Sequence, residues 1–501
     1  RLQTGDYIVD TDQPLGALAG YLLEVESDDS LAKWNFFDPD LAVGGLYPVV
    51  RLEDLPQSGS LQAVESVAAT ERLSLERLMS PQQAYDYSGG KRATASWLKE
   101  SRSYVVGDGG KYTVVDAASG AVRELEEVQR LRDKLSQLDA FTHSQAAAAA
   151  TIDVFDRDWR HALIHHQQDL YYFEAQADTA RQLTHSPDSP EQLAELNPPG
   201  THAAFVRDHN LWVVNCQTTE LKQLTHDGSE ELLQGILDWV YQEELYGRGN
   251  FKGFWWSPNG EQIAFLQLNQ AQVPHYRVSD SIHFGQSLEE TRYPKAGEPI
   301  PTVEVWIVDV LSGQLRQVDL SGFPAEDRLV ARVTWSPQGE LWLQVFNRVQ
   351  NRQDLVRVDP QTGAAHTLLS ESSPGWIEVR GTPHFLNNGN FLWLSDLPHG
   401  RTHLYLIDAV DGSRSTLTHG DWDVGSLLSV ANDDTTAFVS GNVSAPSDTQ
   451  LIAVDLQQGT YHQLTSGPGT HTASVDASGI YFLDQHSSLT TPPISSLHSI
   501  S

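Results

Sequence analysis

The sequence is poor in cysteine and in basic residues, and each shortage narrows what the protein can be. Its single cysteine, Cys216, excludes an internal disulfide framework and a thiolate metal cluster. Lysine and arginine number 33 against 66 aspartates and glutamates, and the resulting charge of −33 disfavours nucleic acid and anionic membranes and favours cationic ligands. No run of about 18 apolar residues occurs, so we expect no membrane span. Scarce cysteine also suits a periplasmic or secreted bacterial protein, which we favour over a cytoplasmic one.

A repeated pattern of short alternating strands runs through most of the 501 residues. Each copy is an apolar strand ending near Asp or Asn, a polar or glycine-containing turn, and a second strand that often closes on Leu-Thr. Seven copies are visible, starting near Tyr112, Leu170, Leu211, Val305, Leu355, Leu404 and Leu451. Alternation with period two favours antiparallel strands, and a spacing of roughly 40 to 55 residues is typical of β-propeller blades. We therefore predict an all-β propeller.

Two segments interrupt the repeat. Apolar residues recur at helical spacing between Leu125 and Leu138, which predicts an amphipathic helix over about residues 122–140, followed by the alanine run 146–150. Residues 269–297 are polar, contain aromatic residues and are too long for a turn between blade strands. We interpret both segments as insertions into the propeller.

A pair of adjacent carboxylates, Glu243 and Glu244, lies in an aromatic cluster at residues 238–244, Asp-Trp-Val-Tyr-Gln-Glu-Glu. Paired acids beside aromatic rings suit a cationic group. Neighbours in sequence do not share a helix face, so the two carboxylates converge on one ammonium only if the backbone turns there, at a helix end or in a short irregular segment. A solvated acidic turn is the alternative that chemistry alone leaves open.

The same stretch, followed by Trp-Trp-Ser-Pro-Asn-Gly at 255–260, resembles the N-terminal β-propeller of the dipeptidyl-peptidase IV family of prolyl oligopeptidase-like serine peptidases (S9B). Further matches follow in order at residues 273–274, 293–297, 301–303, 375–376, 383–385, 400–403 and 417–422. The resemblance implies eight blades, one more than the visible copies. It also implies that Glu243 and Glu244 bind the free amino terminus of a peptide. Gln242 stands where that family usually has a third acid.

The resemblance implies two further features. Trp-Arg-His at 159–161 is similar to a family motif that places a basic residue near a substrate carbonyl, so Arg160 is a second candidate, although it fits equally well as the start of a blade strand. Residues 269–297 resemble the family's protruding arm, which implies a homodimer. His161, His165 and His166 lie in a segment that reads as strand and turn, so we expect no metal there and no cofactor.

The domain organisation follows from both ends of the sequence. Residues 70–497 correspond to the propeller, whereas residues 1–54 resemble the C-terminal tail of an M14-type zinc carboxypeptidase-like protein. The chain begins at Arg1, so we expect the natural N-terminus elsewhere. The peptidase family needs Gly-x-Ser-x-Gly on an α/β-hydrolase domain, followed by Asp and His, and the sequence contains no such pentapeptide. We expect no catalytic residues in this chain and no activity of it alone.

Two functions remain open at this point. The favoured one is the substrate-gating propeller of a serine exopeptidase that releases N-terminal X-Pro or X-Ala dipeptides, working with a separate hydrolase domain. The alternative is a stand-alone propeller that binds cationic ligands or protein partners without catalysis.

Overall fold

The computed structural model describes residues 94–500 apart from 99–100, 109–110, 157, 187, 280–286 and 398. It also describes four short strands nearer the N-terminus: Asp6–Tyr7, Lys33–Asn35, Leu46–Pro48 and Val50–Arg51. The first of these pairs with the last, and the second pairs with the third. The resemblance of residues 1–54 to an M14 tail otherwise lies outside the described residues and stays a prediction, as do the domain bounds 70–497.

Eight antiparallel sheets follow one another between residues 94 and 500 and form an eight-bladed β-propeller. Blade 1 contains Thr94–Trp97, Ser103–Asp108, Lys111–Asp116 and Val122–Glu124. Blade 2 contains His161–His166, Asp169–Glu174 and Thr179–Gln182. Blade 3 contains Gln192–Leu196, His202–Arg207, Asn210–Asn215 and Leu221–Gln223. Blade 4 contains Leu232–Gln234, Phe254–Trp256, Gln262–Asn269, Thr302–Asp309 and Leu315–Gln317.

The second half of the propeller has the same plan. Blade 5 contains Arg328–Trp335, Leu341–Asn347, Arg352–Val358 and Ala365–Ser372. Blade 6 contains His384–Phe385, Phe391–Ser395, His403–Ile407 and Arg414–Thr416. Blade 7 contains Val424–Val430, Thr436–Gly441, Gln450–Asp455 and Tyr461–Gln463. Blade 8 contains Thr470–Val475, Tyr481–Ser487 and Ile494–Ser499. The predicted all-β propeller is confirmed, and so is the count of eight blades.

The Leu-Thr ending of the sequence repeat fixes the edge of four blades. In blade 3 the hydroxyl of Thr225 accepts a hydrogen bond of 2.9 Å from the backbone N–H of Leu211, where the sequence copy starts. Equivalent bonds of 2.8 to 2.9 Å join Leu170 to Thr184, Leu404 to Thr418 and Leu451 to Thr465. All four threonines are buried. The motif recurs because each hydroxyl satisfies a buried N–H that would otherwise lack a partner.

The turn inside five of the seven copies is built on an aspartate and a glycine four residues later. In blade 4 the backbone N–H and hydroxyl of Ser312 both donate to Asp309, at 2.7 and 2.6 Å, and these bonds lower the pKa of that carboxyl. Gly313 follows with φ of 76°, a conformation that side chains disfavour. Other aspartates that accept turn bonds of this kind are Asp116, Asp359, Asp408 and Asp455.

The insertion after blade 1 folds into two helices instead of one. The first, Glu126–Leu135, is shorter at both ends than the predicted 122–140, because Val122–Glu124 completes blade 1. Its buried residues are Val128, Leu131 and Leu135, as the spacing predicts. The alanine run belongs to a second helix, His143–Ala149, followed by a short 3₁₀ turn, Ile152–Val154. No helix in the described residues is long and apolar enough to cross a membrane.

The second insertion is a β-hairpin, His275–Ser279 paired with Leu288–Arg292, between two strands of blade 4. Its apolar residues Val278 and Leu288 are 52% and 68% exposed and lie on opposite faces of the ribbon, since they are one position out of register. Arg292 anchors its base by donating to the carbonyls of Gln270 and Val273, at 2.9 and 3.1 Å. The segment that was too long for a turn is therefore an exposed arm.

Candidate functional site

The acid pair lies on a segment inserted into the first strand of blade 4. Leu232–Gln234 and Phe254–Trp256 pair with opposite ends of one continuous strand, Gln262–Asn269, and residues 235–253 leave the sheet between them. At the neck of the insertion the N–H of Gly253 donates to the carbonyl of Gly235 at 2.9 Å. A Cβ on Gly253 would lie 3.1 Å from the backbone of Gly235, which is tighter than an ordinary contact, so a side chain at this position would push the two segments slightly apart.

Asp238 starts a helical turn inside the insertion. Its two carboxylate oxygens accept from the backbone N–H groups of Val240 and Tyr241, at 3.0 and 3.1 Å, which satisfies donors that a helix start leaves free. Burial raises the pKa of Asp238 to about 6, against the opposing effect of these hydrogen bonds. The turn continues as a π-helix, Tyr241–Leu245, closed by a bond of 2.8 Å from the N–H of Tyr246 to the carbonyl of Tyr241.

The two glutamates occupy consecutive positions of that π-turn. The Glu243 side chain is 15% exposed, and Glu244 is exposed. Glu243 binds the guanidinium of Arg248: Nε lies 2.7 Å from Oε1, and Nη2 contacts the same oxygen. The pKa of Arg248 is raised, first by its hydrogen bond to Glu243 and also by the charge of Glu244. Arg248 therefore contacts Glu243 directly and experiences the charge of Glu244 only through space, and both glutamates lie on a short irregular segment of the kind that convergence on one cation would require.

Gln242 supports the loop that carries Arg248. It is buried, and its side-chain oxygen accepts from the N–H of Gly249 at 2.7 Å. Gly247 and Gly249 flank the arginine with φ of 101° and 84°, so the chain reverses direction tightly on either side of it. Gln242 thus has a structural role in this chain.

Aromatic rings connect the turn to the base of the arm. Trp239 and Tyr293 meet edge to face with centroids 4.3 Å apart, and Tyr293 lies 5.6 Å from Tyr276 of the hairpin. The ammonium of Lys295 lies 5.3 Å from the ring of Tyr276. Contacts of this kind contribute of the order of 1 kcal/mol each. The two segments inserted into blade 4 therefore pack against each other.

A cavity of about 960 Å³ lies where the first strands of blades 3, 4 and 5 approach the chain that leads into blade 2. Its charged lining consists of Asp153, Asp156, Asp158, Glu195 and Lys252. The ammonium of Lys252, at the neck of the insertion, lies 2.7 Å from Glu195. Four acids against one base make this cavity acidic, and its wall includes the root of the segment that carries the acid pair.

The remaining candidate residues lie apart from that segment. Arg160 is exposed and precedes the first strand of blade 2, where its backbone N–H donates to Asp156 at 2.9 Å. The lining of the cavity includes neither Arg160 nor the two glutamates, so the carbonyl-binding role of Arg160 stays a prediction. His161 and His165 lie on a strand, as expected, and His161 contacts Asp156 at 2.7 Å. No group of three potential metal ligands occurs in the described part of the chain.

Sequence reasoning missed Arg248 and the contacts made by Tyr241 and Tyr246. An arginine between two glycines, directly after an acid pair, could have indicated an ion pair across a tight turn. The tyrosine contacts gave no sequence indication, because their partner is blade 5, more than 80 residues further along the chain.

Fold and site together define a β-propeller domain with an acidic turn inserted in its fourth blade. Residues 145–493 match the family model described as the dipeptidyl peptidase IV (DPP IV) N-terminal region. The chain belongs to that family.

Named relatives agree with this assignment. A probable dipeptidyl-aminopeptidase B of Uncinocarpus reesii is 29% identical over 356 residues, covering 65% of this chain and 38% of the relative. A probable dipeptidyl peptidase 4 of Aspergillus fumigatus is 26% identical over 371 residues, covering 70% and 47%. The crystal structure of Porphyromonas gingivalis dipeptidyl peptidase 4 superposes with a TM-score of 0.72 at 22% identity, covering 86% and 60%, which shows a shared fold. The chain therefore spans less than half the length of the Uncinocarpus reesii and Aspergillus fumigatus relatives.

Proposed function

We propose that this chain is the substrate-selecting propeller of a dipeptidyl-peptidase IV-like serine exopeptidase. Glu243 and Glu244 bind the protonated amino terminus of a peptide, and a hydrolase domain elsewhere in the full-length protein removes the N-terminal X-Pro or X-Ala dipeptide. The peptidase names of the relatives support the reaction class.

The observation that carries the proposal is the placement of Arg248. Its guanidinium is held against Glu243 and within the field of Glu244 in the ligand-free chain. A peptide ammonium would take the place of this guanidinium at Glu243, with the carboxylate of Glu244 turned toward it as the second acceptor. Charge-assisted hydrogen bonds of this kind are about twice as strong as neutral ones.

The site favours a free amino terminus for physical reasons. An acetylated terminus is neutral, so it cannot replace the cation that Glu243 already holds, whereas a protonated terminus can form charge-assisted hydrogen bonds with the carboxylates. The charge of −33 and the acidic lining of the neighbouring cavity also favour cationic ligands. Selection for a free terminus is what distinguishes an exopeptidase from an endopeptidase.

Two partners follow from this proposal. One is the α/β-hydrolase domain, which would supply the serine, aspartate and histidine that cut the peptide bond. The other is a second copy of the chain, contacted through the face of the arm that carries the exposed Leu288, which would be covered in a dimer. We expect Leu288→Asp to shift the mass measured by light scattering from dimer to monomer; an unchanged mass would remove the arm from the interface.

The decisive experiment neutralises the acid pair. In the full-length protein, Glu243→Gln with Glu244→Gln should reduce kcat/KM for a Gly-Pro chromogenic substrate by roughly 100-fold, since two charge-assisted bonds are lost. The control is Glu289→Gln with Glu290→Gln, a second adjacent pair on the exposed hairpin, which makes the same change in net charge. Equal kinetics of the two double variants would refute the recognition role.

The isolated chain separates the favoured function from a binding propeller without catalysis. It should not cleave the chromogenic substrate, yet it should bind the tripeptide Ala-Pro-Ala more tightly than the N-acetylated form, as measured by ligand-observed NMR. If the full-length protein also fails to cleave the substrate, the enzymatic proposal fails and only the binding function remains.

A further inference from the structure

The acidic turn of blade 4 is attached to blade 5 through two tyrosine hydroxyls. The backbone N–H of Val330 donates to the hydroxyl of Tyr241 at 3.3 Å, and the hydroxyl of Tyr246 donates to the carbonyl of Val330 at 3.1 Å. The two tyrosines flank the glutamates in sequence, at either end of the π-turn. Both polar groups of one backbone residue are therefore satisfied by side chains from the neighbouring blade.

Val330 needs such partners because of its place in the sheet. It lies in Arg328–Trp335, the edge strand of blade 5, so one side of that strand has no neighbour within the sheet. The register shifts between Val330 and Arg332, which leaves Ala331 as an extra residue in the strand. A bulge of this kind bends an edge strand and redirects its side chains. The tyrosine hydroxyls occupy positions that a further strand would otherwise fill.

Arg332 makes a third connection directly after the bulge. Its Nη1 donates to the carbonyl of Leu245, the last residue of the π-turn, at 2.5 Å. Its guanidinium lies 5.3 Å from the ring centroid of Tyr246. The final carbonyls of a helical segment lack intrahelical partners, and a cation beside them is favourable. The turn is thus held at its beginning by Tyr241 and at its end by Tyr246 and Arg332.

We propose that Tyr241, Tyr246 and Arg332 are positioning residues, which set the orientation of the acid pair by fixing the π-turn to the edge strand of blade 5. The inference rests on the proposed role of the glutamates. Tyr241 is fully buried, and Leu245 is 5% exposed in the core shared with blade 5, so the turn has little freedom while these bonds are intact. A movement of blade 5 relative to blade 4 would therefore move the carboxylates.

The test uses variants that remove hydroxyls and leave the rings. Tyr241→Phe and Tyr246→Phe each delete one connection to Val330. The matched control is Tyr172→Phe, because the buried Tyr172 hydroxyl also donates to a backbone carbonyl, that of Gly200 at 3.0 Å, and joins blade 2 to blade 3 without touching residues 238–246. Hydrogen–deuterium exchange across residues 238–246 and affinity for Ala-Pro-Ala are measured for each variant of the full 501-residue chain.

We expect faster exchange across residues 238–246 and roughly three- to tenfold weaker peptide binding in the two test variants, with neither change in Tyr172→Phe. Tyr246→Trp, which keeps a ring but places its donor elsewhere, should not restore affinity. Unchanged exchange would refute the attachment itself. Faster exchange with unchanged affinity would refute the positioning role. Binding that is insensitive to glutamine at both glutamates would instead refute the proposed function, on which the positioning role depends.

Discussion

Replacing Asp238 by asparagine should change how the stability of the propeller depends on pH. Burial raises the pKa of this carboxyl from 3.8 to about 6 in the folded chain. An acid with a raised pKa binds protons more tightly in the folded state than in the unfolded state, so the folded chain loses stability as the pH rises from about 4 to about 6. A pKa raised by about two units lowers the free energy of unfolding by about 3 kcal/mol at pH 7, and most of this loss disappears by pH 4.

Asparagine removes the titration but also one acceptor. Asp238 uses both oxygens, on the N–H groups of Val240 and Tyr241, and an amide offers only one oxygen to them. We expect the lost bond to cost about 1 kcal/mol at every pH. Asp238→Asn should therefore be up to about 1 kcal/mol less stable than the parent chain near pH 4 and about 2 kcal/mol more stable than the parent chain at pH 7.

The assay is urea unfolding followed by tryptophan fluorescence at pH 4, 5, 6 and 7. Asp309→Asn is the control, because hydrogen bonds from Ser312 lower the pKa of Asp309 instead of raising it. Its contribution is present above the unfolded pKa and is lost only as the pH falls through the lower folded pKa, so its effect should be nearly constant between pH 4 and pH 7. A constant effect of Asp238→Asn over the same range would refute the raised pKa.

Three further variants test other parts of the structure. Arg248→Ala should strengthen Ala-Pro-Ala binding up to about fivefold at low salt, since the peptide ammonium then no longer competes with the Arg248 guanidinium for Glu243. Arg277→Ala, which removes an exposed ion pair on the arm, should leave the affinity unchanged. Weaker binding in Arg248→Ala would show that Arg248 supports the site instead of competing for it. Thr225→Val should lower the free energy of unfolding in urea by about 1 to 3 kcal/mol, because the N–H of Leu211 loses its acceptor, and Thr225→Ser should lower it much less. Equal losses in the two variants would mean that the methyl group matters more than the hydroxyl. Leu131→Ala, at a fully buried helix position, should cost about 2 to 5 kcal/mol in the same assay, and a loss below 1 kcal/mol would show that the helix packs loosely.

The sequence predicts the repeated parts of this fold well, because each blade uses the same local chemistry. The copies starting near Leu211 and Leu451 contain a Leu-Thr bond that recurs in the structure. Blade 8 escaped detection from the repeat alone, since Thr470–Val475 and its partners are not followed by a Leu-Thr strand. The ends of the helix at 126–135 were misjudged because the apolar spacing continues into the preceding strand and the following turn.

The candidate site was predicted in composition but not in geometry. Adjacent glutamates among aromatic residues are visible in the sequence, and so is the need for an irregular backbone. The ion pair with Arg248 depends on how a glycine-rich turn closes, and the tyrosine contacts depend on which backbone group of blade 5 faces the turn. Such contacts between distant segments follow from blade packing, which no local pattern encodes.

The paired glycines at the neck of the blade 4 insertion make the strand register of the sheet independent of the inserted segment. Because Gly235 and Gly253 bring the two chain segments together on one side of an uninterrupted partner strand, residues 236–252 enter and leave at nearly the same point. The strand register on either side therefore does not depend on the length of that segment, although Tyr241 and Leu245 within it pack in the core shared with blade 5. A different turn grafted between these glycines should keep the strand register of blade 4, provided that it replaces the buried contacts that Tyr241 and Leu245 make.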